Sequence, residues 1–436
     1  MTIPKRIASA VINSLKGGVV PRTGLPYIAV GRKKEIDALL SDVDIITDGG
    51  ASFRFIVGNY GAGKSFLMQT IRNYVMDRGF VVADADLSPE RRLQGTRGQG
   101  LATYKELIRN LATKTKPEGG ALSGLLDKWI SSVMTAAVTE EGLEPDSPQF
   151  HKSVESRIYR VTNGLSELVH GFDFGKILYM YYSSYVNDDD EKKAQVLKWF
   201  RGEYATKSDC KRELGVNIII TDDDWYDYIK LFSEFFRLAG YSGTLIFIDE
   251  LVNLYKIPNS VTRQYNYEKI LTMYNDTLQG KAHYLGFIMC GTPQCVEDPR
   301  RGIYSYDALR SRLQSGRFGN ESYSDLLSPV IRLLPLTSEE MLVLTEKLTE
   351  IHGVLYGYTP AITEDERILF IKIEYGRIGA DSKITPREVI RDFIELLNIL
   401  CQNPGMNVGE LLGEGGFEFA QGEEAPSDDE FAEFEI

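Results

Sequence analysis

Residues 58–65 read Gly-Asn-Tyr-Gly-Ala-Gly-Lys-Ser, with glycines at 58, 61 and 63 followed directly by a lysine and a hydroxyl. Glycine tolerates left-handed backbone, so a loop with this spacing turns its N–H groups toward one concave side, where they meet the oxygens of a polyphosphate. The run Phe53–Val57 ahead of it reads as a buried strand, and a helix is expected from Lys64 to about Asp77. Strand, loop and helix in that order are the setting in which G-x-x-x-x-G-K-[ST] cradles phosphates. The helix start adds about half a positive charge at the same place. Lys64 then reaches the β- and γ-phosphates and the Ser65 hydroxyl ligates Mg²⁺. Gly58, Asn59, Tyr60, Gly61, Ala62, Gly63 and the following Phe66 complete the binding stretch. The implied cofactors are ATP and Mg²⁺. A purely structural glycine turn is the alternative, and the flanking strand and helix weigh against it.

A second group is Thr244-Leu245-Ile246-Phe247-Ile248-Asp249-Glu250, an apolar strand ending in two acids. Asp249 at the strand end suits Mg²⁺, held through water. Glu250 suits orienting or deprotonating the attacking water. The competing role for Asp249 is a helix N-cap. Thr292 ends another apolar run, YLGFIMCGT, and suits either a polar contact to the γ-phosphate or the water, or a turn before Pro293. Arg310 and Arg312, in ALRSRL, suit a finger offered to a nucleotide on a neighbouring subunit. Arg312 is the first choice, Arg310 the second and Arg317 the third; a surface helix with salt bridges is the alternative. Arg387 opens a C-terminal helix and could act on the chain's own nucleotide. Ile28 and Val30, ahead of the loop, suit either adenine packing or ordinary core.

The elements that must position these groups are short apolar runs alternating with helical segments. Strands are expected at 53–57, 80–87, 244–250 and 284–292, with 328–336 a candidate fifth. That alternation predicts an α/β fold with a mainly parallel, doubly wound sheet. Residues 1–97 would carry an N-terminal helix, the Gly31–Arg32 segment and the first part of the nucleotide core. Residues 98–242 are helix-periodic throughout and read as a large helical insertion. Residues 243–336 return to the core, and 337–403 form a helical lid. Within the lid, Thr337 with Glu340 and Thr385 with Pro386 and Glu388 mark helix starts. Residues 404–436 are rich in glycine and acids and are expected to be disordered. The acidic run at 188–191 reads as a solvated turn or helix start.

The chain has 436 residues, with 43% hydrophobic and 25% charged, as in ordinary globular proteins. It contains no apolar run of membrane-spanning length, and the start reads as an amphipathic helix ending near Gly17 rather than a signal peptide. The four cysteines, at 210, 290, 295 and 401, form no C-x-x-C pair, which fits a reducing cytoplasm without disulfides or structural zinc. The four histidines lie far apart and give no metal spacing. Ten acidic and no basic residues from 410 onward account for most of the net charge of −13, so the body is close to neutral and nucleic-acid contact is not excluded.

Taken in order, VGRKKEID, GNYGAGKS, LIFIDE, FIMCGTP, ALRSRL and TPREVIRDF resemble the AAA+ or STAND-type ATPases of the origin-recognition branch. The resemblance implies a P-loop, AAA+-like sheet. It also implies a GR-x-x-E box at Gly31, Arg32 and Glu35, a Walker B pair at Asp249 and Glu250, and sensor 1 at Thr292. The finger falls on Arg310 or Arg312 and sensor 2 on Arg387. Thr292 departs from the asparagine commoner at sensor 1. More narrowly, DADLSPERRLQG followed by GLATYKELIRNLAT resembles the P-loop ATP-binding proteins of bacterial BREX phage-defence systems, over about residues 8–400. That resemblance implies an ATP-hydrolysing motor or switch in anti-phage defence. Its partners would be other defence-system proteins and DNA or DNA-acting proteins, with no membrane and with assembly into a homo-oligomer. A DNA-binding loader or clamp, and a nucleotide-dependent scaffold that does not hydrolyse, are the alternatives.

Overall fold

The computed structural model describes residues 3–145, 147–314, 325–376 and 385–413. The chain divides into two compact units. One is Lys34–Asn59 with Leu67–Leu333; the other is drawn from Met1–Lys33, Tyr60–Phe66 and Leu334–Ile436. We call them the sheet unit and the helical unit.

The sheet unit is built on five strands, β1 (Ala51–Val57), β2 (Val81–Asp86), β3 (Thr244–Asp249), β4 (Leu285–Gly291) and β5 (Val330–Arg332). They lie in the order β2-β3-β4-β1-β5, every neighbouring pair parallel. Alternate side chains point to opposite faces of a strand, and here both faces are buried. Phe53, Phe55, Ile246, Ile248, Phe287 and Met289 enter one apolar core. Ile56, Val82, Leu245, Phe247, Ile288 and Cys290 enter another. Burial on both sides is why these strands read in sequence as continuous apolar runs rather than as an alternation.

Helices cover each face. The second core is closed by α3 (Lys33–Thr47), through Leu39, Val43 and Ile46, and by α4 (Lys64–Asp77), through Leu67, Ile71 and Val75. α3 and α4 follow α1 (Lys5–Lys16) and α2 (Leu25–Ile28), which belong to the helical unit. Between β2 and β3 run seven helices: α5 (Gln99–Arg109), α6 (Leu122–Glu141), α7 (Pro148–Leu165), α8 (Gly171–Val186), α9 (Asp190–Phe200), α10 (Lys207–Leu214) and α11 (Trp225–Leu238). They share one continuous core with the first face of the sheet, through side chains such as Trp129, Phe174 and Phe235. The Trp129 and Phe235 rings meet edge to face with centroids 5.1 Å apart. The acidic run 188–191 is the start of α9, where the Asp189 carboxylate accepts the Lys192 N–H at 2.9 Å. After β3 come α12 (Val252–Tyr255) and α13 (Ser260–Leu278), and after β4 come α14 (Pro293–Glu297) and α15 (Asp307–Leu313).

A buried charge lies inside β1. Arg54 of β1 is buried, and its guanidinium pairs with the Asp42 carboxylate of α3 at 2.7 Å while donating to the Leu327 carbonyl at 2.8 Å. A charge taken out of water is tolerated only when paired and hydrogen-bonded in this way.

The helical unit adds α16 (Ser338–Tyr356), α17 (Glu364–Gly376), α18 (Pro386–Gln402) and α19 (Val408–Gly413) to α1 and α2. Its core gathers Val11 and Ile12 of α1, Leu25 and Ile28 of α2, Leu344 and Leu348 of α16, and Val389, Phe393 and Leu397 of α18. The N-terminal helix α1 groups with the C-terminal helices. Its apolar stripe finds its partners on α16 and α18. Past Asn403, Val408 of α19 is buried in this core. The rest of the tail, 414–436, lies outside the described residues.

Both capping boxes form. The Thr337 N–H donates to the Glu340 carboxylate at 2.9 Å, and the Thr385 N–H to that of Glu388 at 2.8 Å. The four cysteines form no disulfide. Among the described residues no helix is long and apolar enough to cross a membrane, and no cluster of three metal-ligating side chains occurs.

Candidate functional site

The parallel register of the sheet unit brings the carboxyl ends of its strands to one edge. Val57 of β1 lies opposite Gly291 of β4, Ile248 of β3 opposite Met289, and Asp86 of β2 opposite Asp249. The residues that follow those strands are therefore neighbours. The Gly58 N–H donates to the Gly291 carbonyl at 3.1 Å, and the Leu251 N–H to the Cys290 carbonyl at 3.1 Å. Asp249 at the end of β3, Glu250 directly after it, Thr292 directly after β4 and the start of the glycine loop share this edge. In open parallel sheets the crevice beyond the strand carboxyl ends is where ligands bind.

The Asp249–Glu250 pair has an unusual backbone. Glu250 has φ of 61°, a left-handed conformation that costs a non-glycine residue about 1–2 kcal/mol. The turn is held by local bonds: the Asp249 carboxylate accepts the Glu250 N–H at 2.8 Å, and the Glu250 carbonyl accepts the Asn253 N–H at 2.9 Å. The Asn253 side-chain amide donates to the Leu87 carbonyl at 2.8 Å and so fastens this turn to the end of β2. The Glu250 carboxylate is exposed and Asp249 half-buried. Asp86 and Asn253 are neighbours that sequence reading passed over. Asp86 ends an apolar strand, as Asp249 does, and that signal was available; nothing in the local sequence marks Asn253. Thr292 is half-buried, and its hydroxyl lies 2.9 Å from the Cys295 sulfur.

Within the glycine loop, Gly58 and Asn59 end a stretch of the sheet unit and Tyr60–Phe66 belong to the helical unit. Lys64 and Ser65 are the first two residues of α4. Gly61 and Gly63 have φ of 73° and 88°. A side chain on Gly63 would meet no atom within 4 Å, so the space at this helix start is open. Lys64 sits where a helix already presents positive partial charge. The open glycine surface beside it suits a phosphate. The residues present therefore fit a polyphosphate, and the Ser65 hydroxyl is a hard oxygen donor of the kind Mg²⁺ takes. The Lys64 ammonium lies 5.6 Å from the centroid of the exposed Tyr60 ring.

The loop is braced from inside the helical unit. The buried Arg32 guanidinium donates to the Ala62 carbonyl at 3.1 Å and to the Leu334 carbonyl at 2.7 Å. Gly31 is exposed with φ of 73°, and Glu35 lies in the first turn of α3. Phe66 packs half-buried against the helical core. Ile28 is buried in that core and Val30 lies partly buried beside it. The Lys347 ammonium donates to the Ala29 carbonyl at 2.7 Å.

The arginines fall in three places. Arg310 and Arg312 are exposed on α15, where Arg310 pairs with Asp307 at 2.6 Å and Arg312 donates to the Ala308 carbonyl at 2.7 Å. Arg317 lies outside the described residues. Arg387 is exposed in the first turn of α18, with its side chain passing close to Gly18. Like Lys64, it is a cation opposing a helix dipole.

A family model described as "BREX system ATP-binding protein BrxC/D" matches residues 3–415, nearly the whole chain. No curated protein matches the sequence.

Proposed function

Because the chain belongs to the BREX system ATP-binding protein family, we propose that it binds ATP with Mg²⁺, hydrolyses it, and serves as a motor or switch within a BREX phage-defence system. The observation that carries this reading is the glycine loop itself. It leads from an interior parallel strand into α4, with left-handed glycines at 61 and 63 and Lys64 and Ser65 opening the helix. The strand order β2-β3-β4-β1-β5 supports a P-loop, AAA+-like fold, because the strand that leads into the glycine loop, β1, is an interior strand paired with β4 and β5.

In this reading the loop N–H groups and Lys64 hold the phosphates. Ser65 and Asp249 hold the metal, whose charge offsets that of the phosphate oxygens. Glu250 orients a water and accepts its proton as it attacks, with Thr292 contributing a hydroxyl at the same strand edge. Ile28, Val30 and Gly31 are assigned to the base side of the nucleotide. Arg310 or Arg312 supplies positive charge to a neighbouring copy, and Arg387 acts on the chain's own nucleotide. The protein would work in the cytoplasm with other BREX proteins, with DNA or DNA-acting partners, and as a homo-oligomer.

The test is Glu250→Gln, which keeps shape and removes the base. ATP affinity should stay within about threefold of wild type while turnover falls by about 10²–10⁴-fold, the usual contribution of a positioned base. Turnover at the wild-type rate would remove Glu250 from the mechanism.

A further inference from the structure

Gly61 lies against one particular side chain. A Cβ built on it would fall 2.4 Å from Thr385 Cβ, 2.8 Å from its hydroxyl and 2.9 Å from its methyl, so Thr385 already fills the space a side chain would need. Both residues belong to the helical unit. Thr385 is the N-cap of α18, and its orientation is fixed: its N–H and hydroxyl both donate to the Glu388 carboxylate, at 2.8 and 2.9 Å. The contact therefore joins a middle glycine of the phosphate-binding stretch to the first turn of α18, two residues before Arg387.

Resting on the ATP-binding reading above, we propose that Thr385 is a positioning residue that couples the shape of the glycine loop to the start of α18. A loop tightened around phosphates cannot move Gly61 without moving or releasing Thr385. The Thr385 backbone N–H bond to Glu388, which does not depend on the hydroxyl, makes Thr385 move with its helix. The position of Arg387 then follows loop occupancy.

Two substitutions separate packing from capping. Thr385→Val keeps the branched shape on Gly61 and removes the capping hydroxyl. Thr385→Gly removes the contact, while glycine remains a serviceable N-cap. The readout is amide hydrogen exchange of the first two turns of α18 in the full-length protein, with and without Mg·ATP, alongside ATP affinity. In wild type and Thr385→Val, ATP should slow exchange there by about 2- to 30-fold, the range a single coupling contact transmits. In Thr385→Gly that response should disappear although ATP still binds. An equal ATP response in Thr385→Gly, or its loss in Thr385→Val, would overturn the proposal while leaving ATP binding intact. Absence of ATP binding to the wild-type protein would overturn both readings.

Discussion

Replacing Arg32 with alanine should loosen the glycine loop from within. The Arg32 guanidinium is 7% exposed and reaches two backbone carbonyls, Ala62 at 3.1 Å and Leu334 at 2.7 Å. Hydrogen bonds to charged groups are worth about 1.5–3 kcal/mol each, so the two together give roughly 3–6 kcal/mol gross. Water entering the vacated space recovers part of this, which leaves a net loss of about 2–4 kcal/mol. Arg32→Lys, with a single ammonium on a flexible stem, should recover about half at best. Urea denaturation followed by hydrogen exchange on the α16 and α18 peptides reads the stability loss in the helical unit. Titration calorimetry reads ATP affinity. If half of the lost energy had served to order the loop, affinity should fall by about 5- to 30-fold. A stability change below about 0.5 kcal/mol, with unchanged affinity, would show that the Arg32–Ala62 brace does not shape the loop.

Three further outcomes follow from the same structure. Arg54→Ala leaves the Asp42 carboxylate buried without its partner, and unfolding free energy by chemical denaturation should drop by about 3–5 kcal/mol; a drop under 1 kcal/mol would mean that water already reaches the pair. His352 is fully buried between the Tyr358 hydroxyl at 3.0 Å and the Asn398 side chain at 3.1 Å, and burial lowers its pKa from the usual 6.5. The unfolded chain thus takes up a proton that the folded chain refuses, so stability is complete above about pH 6.5 and declines as pH falls below it. His352→Gln should flatten that decline in thermal melts between pH 5 and 7.5, and an unchanged pH profile would acquit His352. Specific ATPase activity should rise with protein concentration if Arg312 or Arg310 acts on a neighbouring copy, and Arg312→Ala should then lower activity without changing ATP affinity; a flat concentration series would point to a chain that works alone.

The strands were legible because burial on both faces leaves runs such as TLIFID and LGFIMCG with almost no polar interruption. The strand ends were legible for the same reason: a sudden Asp-Glu or Thr after an apolar run marks where a strand leaves the core. The helix starts at Thr337 and Thr385 were legible because capping is local. The partners of a surface stripe were not. Val11 and Ile12 announce that α1 buries a face, but nothing near them in sequence says that α16 and α18 receive it. The left-handed Glu250 was invisible because its turn depends on Asn253 and on the distant Leu87 carbonyl. Thr385 against Gly61 joins positions more than 300 residues apart, a separation over which no periodicity carries information.

The central claim, that the loop from Gly58 to Ser65 holds ATP through Lys64, is tested most directly by calorimetric titration of Mg·ATP into the wild-type protein and into Lys64→Ala. Wild type should bind saturably with one ATP per chain, and the variant should show no saturable heat at the same concentrations while keeping its fold by circular dichroism. Equal binding by the two proteins would place the nucleotide somewhere other than this loop.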